Sequence, residues 1–246
     1  MNQSDLTTSA RRALVTGGGR GIGHAIAKAL AAQGHEVTVT GRTDQIHAVA
    51  AALGARGLVL DLEDPSSIEE LSSRVDEDLA VLVNNAGGFA AVAPPPGARV
   101  ADVAEYWHRN LHVNVVGAAL VTSALEDRLR PGGAVVSIGS IGAEYAANPY
   151  SVAKAALAAW NVGLAERLGP RSITANVVAP GYVEGTDLFG GPLPQGRRDA
   201  LVDRTMLGRV CRPEDVAATV AFLSSTAARA ITGQVVHVNA GAHATR

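Results

Sequence analysis

Tyr150 and Lys154 stand four positions apart in the run SIGSIGAEYAANPYSVAKAAL, residues 137–157. On a helix that spacing places both side chains on one face. A phenol titrates near pH 10, so by itself it is a reluctant proton donor and a worse base near neutrality. A neighbouring ammonium favours the phenolate and brings the group toward use as a general acid or base. The spacing alone is also that of an ordinary helix-face pair worth a few tenths of a kcal/mol. Two details single it out. None of Tyr106, Tyr145 and Tyr182 has a lysine four residues on, and of the 21 basic residues only Lys28 and Lys154 are lysines. A chain that uses arginine by default has placed a compact ammonium on a flexible stem beside this tyrosine. Asn148 and Pro149 supply a helix cap and first position just before it.

A second constellation is TGGGRGIG, Thr16 to Gly23, between an apolar run and a helix-like segment. Gly17, Gly21 and Gly23, with Ile22 between the last two, read GxxxGxG. Glycines there permit a tight turn and close approach of backbone to a pyrophosphate, which the free N–H groups of the following helix can hold. The end of the second apolar run decides which dinucleotide fits. An acid would bind the ribose hydroxyls of NAD, but VTVTGRTD has Gly41 at that position, followed by Arg42 and Thr43. Arginine can donate two hydrogen bonds to a 2′-phosphate, and Arg20 in the glycine loop offers a second cation. NADP(H) is therefore the expected cofactor.

The elements that must carry these groups alternate along the chain. Strand-like runs occupy 13–16, 36–40, 57–60, 80–83, 133–138, 173–178 and 234–238, separated by segments with helical apolar spacing. Nearly continuous apolar strands imply burial on both faces and parallel crossovers. The expected fold is α/β, a Rossmann-type doubly wound parallel sheet of about seven strands, in one domain spanning residues 1–246. Residues 185–206, rich in Gly and Pro, are the expected substrate lid.

Composition narrows the partners. A net charge of −2 gives no electrostatic reason to expect nucleic acid, and no apolar run is long enough to span a bilayer. One cysteine, Cys211, excludes an internal disulfide and a cysteine zinc cluster. With no signal-peptide pattern at the start, a cytoplasmic location is expected. His108 and His112 are four apart but lack the glutamate and third ligand of a zinc site, so a helix-surface pair is expected and no metal.

Taken in order, TGGGRGIG, LDLEDPSSIEEL, VLVNNAG, LHVNVVGAAL, SIGS, YSVAK, NVVAPGYVEGT, LGRVCRPEDVAATVAFLSS and ITGQVVHVNAG resemble the short-chain dehydrogenases/reductases, in particular bacterial carbonyl and 3-oxoacyl reductases. The resemblance covers nearly all the chain after its first ten residues. It implies that Asp61 and Leu62 sit beside the adenine, that Asn85, Ala86 and Gly87 line the cofactor, and that Asn84 is partly structural. Pro180, Gly181, Val183 and Thr186 would flank the nicotinamide. Asn114, Ser140, Tyr150 and Lys154 would form the catalytic set, with Lys154 also reaching the nicotinamide ribose and Asn114 holding a water in a proton relay. A homodimer or homotetramer is implied, paired through the Ala-rich helices near 110–129 and 150–168.

The implied activity is NADPH-dependent reduction of a ketone, aldehyde or 3-oxoacyl carbonyl. The same residues run backwards make an alcohol dehydrogenase, and a non-catalytic NADP(H) sensor is the rival from another class. The serine is open to two assignments. Ser140 fits the local motif but lies only ten residues before Tyr150; Ser137 restores the family's longer interval but sits where the strand should still run. Ser140 is the choice, with a shortened loop IGAEYAANP. Phe89, Ala143, Tyr145 and the 185–206 segment are the candidate substrate contacts. Arg197 and Arg198 are expected as a solvated pair. Asn239, Ala240 and Gly241 stand where the family often has an acid and two glycines.

Overall fold

Alternation of side chains on an extended chain explains why the apolar runs are nearly unbroken. In a computed structural model describing residues 11–75, 78–188, 190–191 and 193–245, Ala13 and Val15 enter one core cluster while Leu14, between them, enters another. Val81 and Val83 likewise face the first cluster, with Leu79 and Leu82 in the second. Both faces of the sheet are therefore buried, and each strand needs apolar residues at every position.

Seven strands form a parallel sheet, β1 (Arg11–Val15), β2 (His35–Gly41), β3 (Arg56–Val59), β4 (Leu79–Asn84), β5 (Leu129–Ile138), β6 (Thr174–Pro180) and β7 (Val235–Val238). Their order is β3-β2-β1-β4-β5-β6-β7, with every pairing parallel. The helices are α1 (Gly21–Ala32), α2 (Gln45–Ala52), α3 (Pro65–Arg74), α4 (Val100–Leu111), α5 (Gly117–Leu125), α6 (Pro149–Leu168), α7 (Gln195–Val202) and α8 (Pro213–Leu223). Residues of α1, α2 and α8 cover one face, and residues of α3, α5 and α6 the other. All seven expected strands are present. Several extend past their apolar runs because ladder bonds need backbone groups, not side chains. Strand β1 starts at Arg11, paired with His35, and β5 starts at Leu129, paired with Leu79, before a register shift.

The order reverses between β1 and β4, and the loops that leave these two strands are tied together. The Thr16 hydroxyl accepts from the backbone N–H groups of Asn85 and Ala86, each at 3.0 Å. The Asn85 amide donates back to the carbonyls of Thr16 at 2.9 Å and Gly17 at 3.1 Å. Glycine is required where these loops meet. A Cβ on Gly23 would lie 2.3 Å from the Gly17 carbonyl oxygen and 2.4 Å from the Asn85 amide nitrogen. Gly17 has φ +65° and a Cβ there would sit 3.0 Å from the Ala86 backbone.

The helix expected around Asn114 is continuous in direction but not uniform. Helices α4 and α5 are joined by a π-helical turn, His112–Val116, with Asn114 buried in it. Such one-turn widenings re-aim a side chain that a regular helix would leave elsewhere. His112, expected on the surface, is half-buried, and its Nε2 lies 2.9 Å from the Leu62 carbonyl oxygen. The expected lid contains a helix of its own, α7, and Arg198 on it pairs with Glu184 at 2.7 Å rather than standing solvated. No helix of the described residues is long and apolar enough to cross a membrane.

At the chain's end, Asn239 shapes the turn: its side chain donates to the His243 carbonyl and accepts from the Gly241 N–H, both at 2.8 Å. Ala240 takes the left-handed φ of +53° that a glycine would adopt at less cost.

Candidate active site

Loops at the carboxyl ends of parallel strands form the crevice in which this kind of sheet binds ligands. Here they enclose a cavity of about 650 Å³. Gly17, Arg20, Gly21, Ile22 and Gly23 line it after β1, Arg42 and Thr43 after β2, and Asp61 and Leu62 after β3. Asn85, Ala86 and Gly87 line it after β4, Ser140, Tyr150 and Lys154 after β5, and Pro180, Gly181, Val183 and Thr186 after β6. Every residue expected to touch the cofactor therefore faces one space. Asn114 does not line it but lies directly behind.

The glycine loop fits a pyrophosphate, because Cβ atoms at Gly17 and Gly23 would collide with the neighbouring backbone and Asn85, and helix α1 begins at Gly21. The two expected phosphate cations differ. Arg20 is engaged by the carboxylate of Asp187, so its charge is locally balanced. Arg42 forms no ion pair among the described residues.

Helix α6 starts where the local chemistry dictates. The Asn148 side chain accepts from the Ser151 N–H at 2.9 Å, and Pro149 takes the first turn. Tyr150 and Lys154 are 7% and 4% exposed. The ammonium lies 5.7 Å from the Tyr150 ring centroid and donates to the Ile138 carbonyl at 2.8 Å. Burial pushes Lys154 down to about 8. Burial also holds the Tyr150 phenol above its ordinary value, and the Ser140 hydroxyl offsets part of that rise. The sequence led to the opposite direction for Tyr150. The cause is that desolvation of the phenol outweighs the hydrogen bond from Ser140.

The two candidate serines differ in position. Ser140 lines the cavity, and its hydroxyl accepts from the Gly142 N–H at 3.0 Å, capping a short turn at Ile141–Glu144. Ser137 is fully buried within β5 and lines neither cavity described here. The loop after Ser140 strains one residue, since Ala146 has φ +44°.

Two asparagines four apart hold the segment after β4. The Asn114 amide donates to the carbonyls of Gly88 at 2.8 Å and Asn110 at 2.9 Å, and its oxygen accepts from the Gly88 N–H at 2.9 Å. Asn110, which sequence reasoning missed, accepts from the Ala90 N–H at 3.2 Å and donates to the Tyr106 carbonyl at 2.8 Å. The i, i+4 repeat of asparagine on a helix was the available signal. A Cβ on Gly87 would lie 2.7 Å from the Asn114 oxygen and 3.3 Å from the Lys154 nitrogen, so Gly87 leaves the space in which those two side chains approach.

A second cavity of about 220 Å³ adjoins Tyr150 and Ser140. Phe89 and Tyr145, both expected at the substrate, line it, and the Phe89 ring centroid lies 4.7 Å from that of Tyr150. Ala143 does not line it; Ile141 and Gly142 do. From the segment expected as a lid come Leu188, Leu201, Arg204 and Thr205. Behind it, His237 and His243 each place Nε2 at 3.9 Å from a Glu144 carboxylate oxygen. Cys211 is buried, its thiol raised by burial, and lines neither cavity.

The parallel sheet, the glycine loop and the Ser140–Tyr150–Lys154 group define a dinucleotide-dependent oxidoreductase architecture, and the comparisons agree. A family model described as enoyl-(acyl carrier protein) reductase matches residues 17–243. The chain is 36% identical to the 3-oxoacyl-(acyl-carrier-protein) reductase of Escherichia coli over 241 residues, covering 93% of this chain and 96% of that one. It resembles the crystal structure of a short-chain dehydrogenase from Burkholderia cenocepacia J2315 in complex with NADP, with TM-score 0.84 and 37% identity over 95% of this chain and 98% of that one. A blue fluorescent protein from a metagenomic library, in complex with NADPH, matches with TM-score 0.83 and 34% identity over 95% and 98%. The chain belongs to the short-chain dehydrogenase/reductase family.

Lys154 also yields a stability prediction. Between about pH 8, its folded value, and its ordinary value near 10.5, the unfolded chain binds more protons, so stability rises with pH across that window. Below pH 8 the full cost applies, about 3 kcal/mol at about 1.4 kcal/mol per pKa unit. Lys154→Met removes that cost and loses one hydrogen bond of about 1 kcal/mol. At pH 7 the variant is expected to melt above wild type by about 4–8 °C, for a net gain of roughly 2 kcal/mol, with the advantage vanishing as pH rises through that window. Thermal melts at stepped pH measure this; a variant that melts below wild type at pH 7 contradicts it.

Proposed function

We propose that this protein is an NADPH-dependent reductase of ketone, aldehyde or 3-oxoacyl carbonyls with Tyr150 as its general acid. The observation that carries this is the placement of a buried phenol, Tyr150, beside Ser140 and over Lys154 where the dinucleotide cavity meets the smaller one. NADP(H) suits the chain's own residues: β2 ends in Gly41, where an NAD site would hold an acid, and Arg42, which forms no ion pair among the described residues, follows it into the cavity. When bound, NADPH supplies the hydride.

The protein's residues supply the rest. The Ser140 hydroxyl holds the carbonyl oxygen against Tyr150, and the phenol donates its proton as negative charge develops on that oxygen. Lys154 stabilises the phenolate left behind. Asn114 is a positioning residue: by tying down Gly88 it keeps the wall beside Lys154 in place. Burial that keeps Tyr150 protonated suits reduction, because the protonated phenol is the form that reduction consumes.

Tyr150→Phe is expected to lower kcat/KM for NADPH-dependent carbonyl reduction by about 10²–10⁴-fold, read from NADPH absorbance over a ketone and aldehyde panel. A variant that keeps most of its activity would overturn the assignment. Arg42→Asp is expected to shift the NADPH-to-NADH ratio of kcat/KM toward NADH by about 10- to 100-fold, the worth of one charge-assisted contact. An unchanged ratio rules out Arg42 as the phosphate ligand.

The active form in this proposal is a cytoplasmic homodimer or homotetramer. Val103 and Trp107 on α4, and Val116 at the end of the π-helical turn with Leu120 on α5, are pairs four residues apart that remain exposed, as does Val162 on α6. Such apolar surface on neighbouring helices suits burial between copies. Light scattering on the eluting protein is expected to give a multiple of 25.1 kDa; a monomeric mass contradicts it.

A further inference from the structure

We infer that the smaller cavity takes a short substrate bearing a carboxylate, with Arg204 as the group that receives it; this rests on the reductase function proposed above. Among the described residues, Arg204 is the only charged side chain lining that cavity. The walls are otherwise apolar, such as Phe89, Leu188 and Leu201, or neutral and polar, such as Ser140 and Asn148. Tyr150 and Ser140 line the same space, so a molecule that fills it can meet both Arg204 and the proton donor.

Arg204 is held in place without being neutralised. Its Nη2 donates to the Tyr145 hydroxyl at 3.0 Å, and its guanidinium carbon lies 5.6 Å from the Tyr145 ring centroid. That contact bridges the lid to the shortened loop after Ser140. Other arginines around the lid have acidic partners: Arg20 has Asp187, Arg198 has Glu184 and Arg209 has Asp215. Arg204 forms no ion pair among the described residues. The nearest acid in the chain to Tyr145 is Glu144, which is directed at His237 and His243 and does not line the cavity. Asp199 accepts from Gln195 at 2.8 Å, and neither it nor Asp203 lines the cavity.

A guanidinium with one donor spent on a phenol keeps a planar set of donors that matches a carboxylate. Arg204 is exposed, so solvent screens its charge, and its selectivity for a carboxylate rests on the geometry of those donors. The volume of about 220 Å³ falls below the roughly 300–1,000 Å³ of pockets for drug-sized ligands. The substrate class is therefore a short oxo acid, with its carbonyl at Tyr150 and its carboxylate at Arg204.

The test uses straight-chain methyl-ketone acids in which the ketone-to-carboxylate separation grows one carbon at a time, each beside its methyl ester. In the wild type the acid of the best-fitting length is expected to exceed its ester in kcat/KM by about 10- to 100-fold, mainly through KM. In Arg204→Gln that acid-to-ester ratio is expected to fall toward one, and in Arg204→Lys to recover in part. Calorimetric binding of the same acids to the NADP⁺-loaded protein, compared with Arg204→Gln, reads the subsite without turnover. If ketones of neither form are reduced but acids still bind through Arg204, the reductase proposal fails and the subsite stands. Esters matching acids at every length, or an acid preference that survives in Arg204→Gln, would overturn the subsite.

Discussion

The ammonium of Lys154 has one protein acceptor among the described residues, the Ile138 carbonyl, and lies where little water reaches it. A charge so placed is costly to keep, which is why its pKa falls to about 8. The surrounding structure is arranged around that cost. Helix α6 begins at Pro149 so that Tyr150 and Lys154 share its inner face, β5 ends where its last carbonyl meets the ammonium, and Gly87 carries no side chain where one would press on both Lys154 and Asn114. A lysine that only packed a helix against a sheet would be replaceable by an apolar residue at a gain in stability. Its presence points to a task other than stability.

The second organising constraint is the reversal of strand order between β1 and β4. Parallel strands on either side of that point send their chains in opposite directions and open a crevice between them. Thr16 and Asn85 bridge the two exits, so the glycine loop and the Asn85–Gly87 segment are held as one unit. Asn110 and Asn114 then anchor the next few residues to the helical layer. A chain of backbone-directed side chains thus runs from the dinucleotide side of the cavity to the acid–base side. None of it depends on a charged group.

Residues of the 185–206 segment and the Ser140 loop form the opposite wall and are built differently. Arg20 with Asp187, Arg198 with Glu184 and Arg204 with Tyr145 are contacts between exposed side chains. Exposed ion pairs contribute little to stability. Such a wall can change without disturbing the sheet.

The strands, the glycine loop and the Tyr150–Lys154 pair were legible because each is a local pattern: apolar runs flanked by turn residues, a fixed glycine spacing, a helix cap followed by a tyrosine with a lysine four residues on. Ser140 was chosen by its motif; in the fold it lines the cavity, whereas Ser137 is buried inside β5. What the chain order alone did not disclose was the sign of the Tyr150 shift, the π-helical turn that aims Asn114, the role of Asn110, and the partnership of Tyr145 with Arg204, 59 residues apart. Each of these depends on which groups lose water and which distant segments meet. Local spacing determines the elements and the chemistry they can carry, whereas desolvation and long-range contact are properties of the assembled fold, and they decided how those groups are tuned and what the substrate cavity presents.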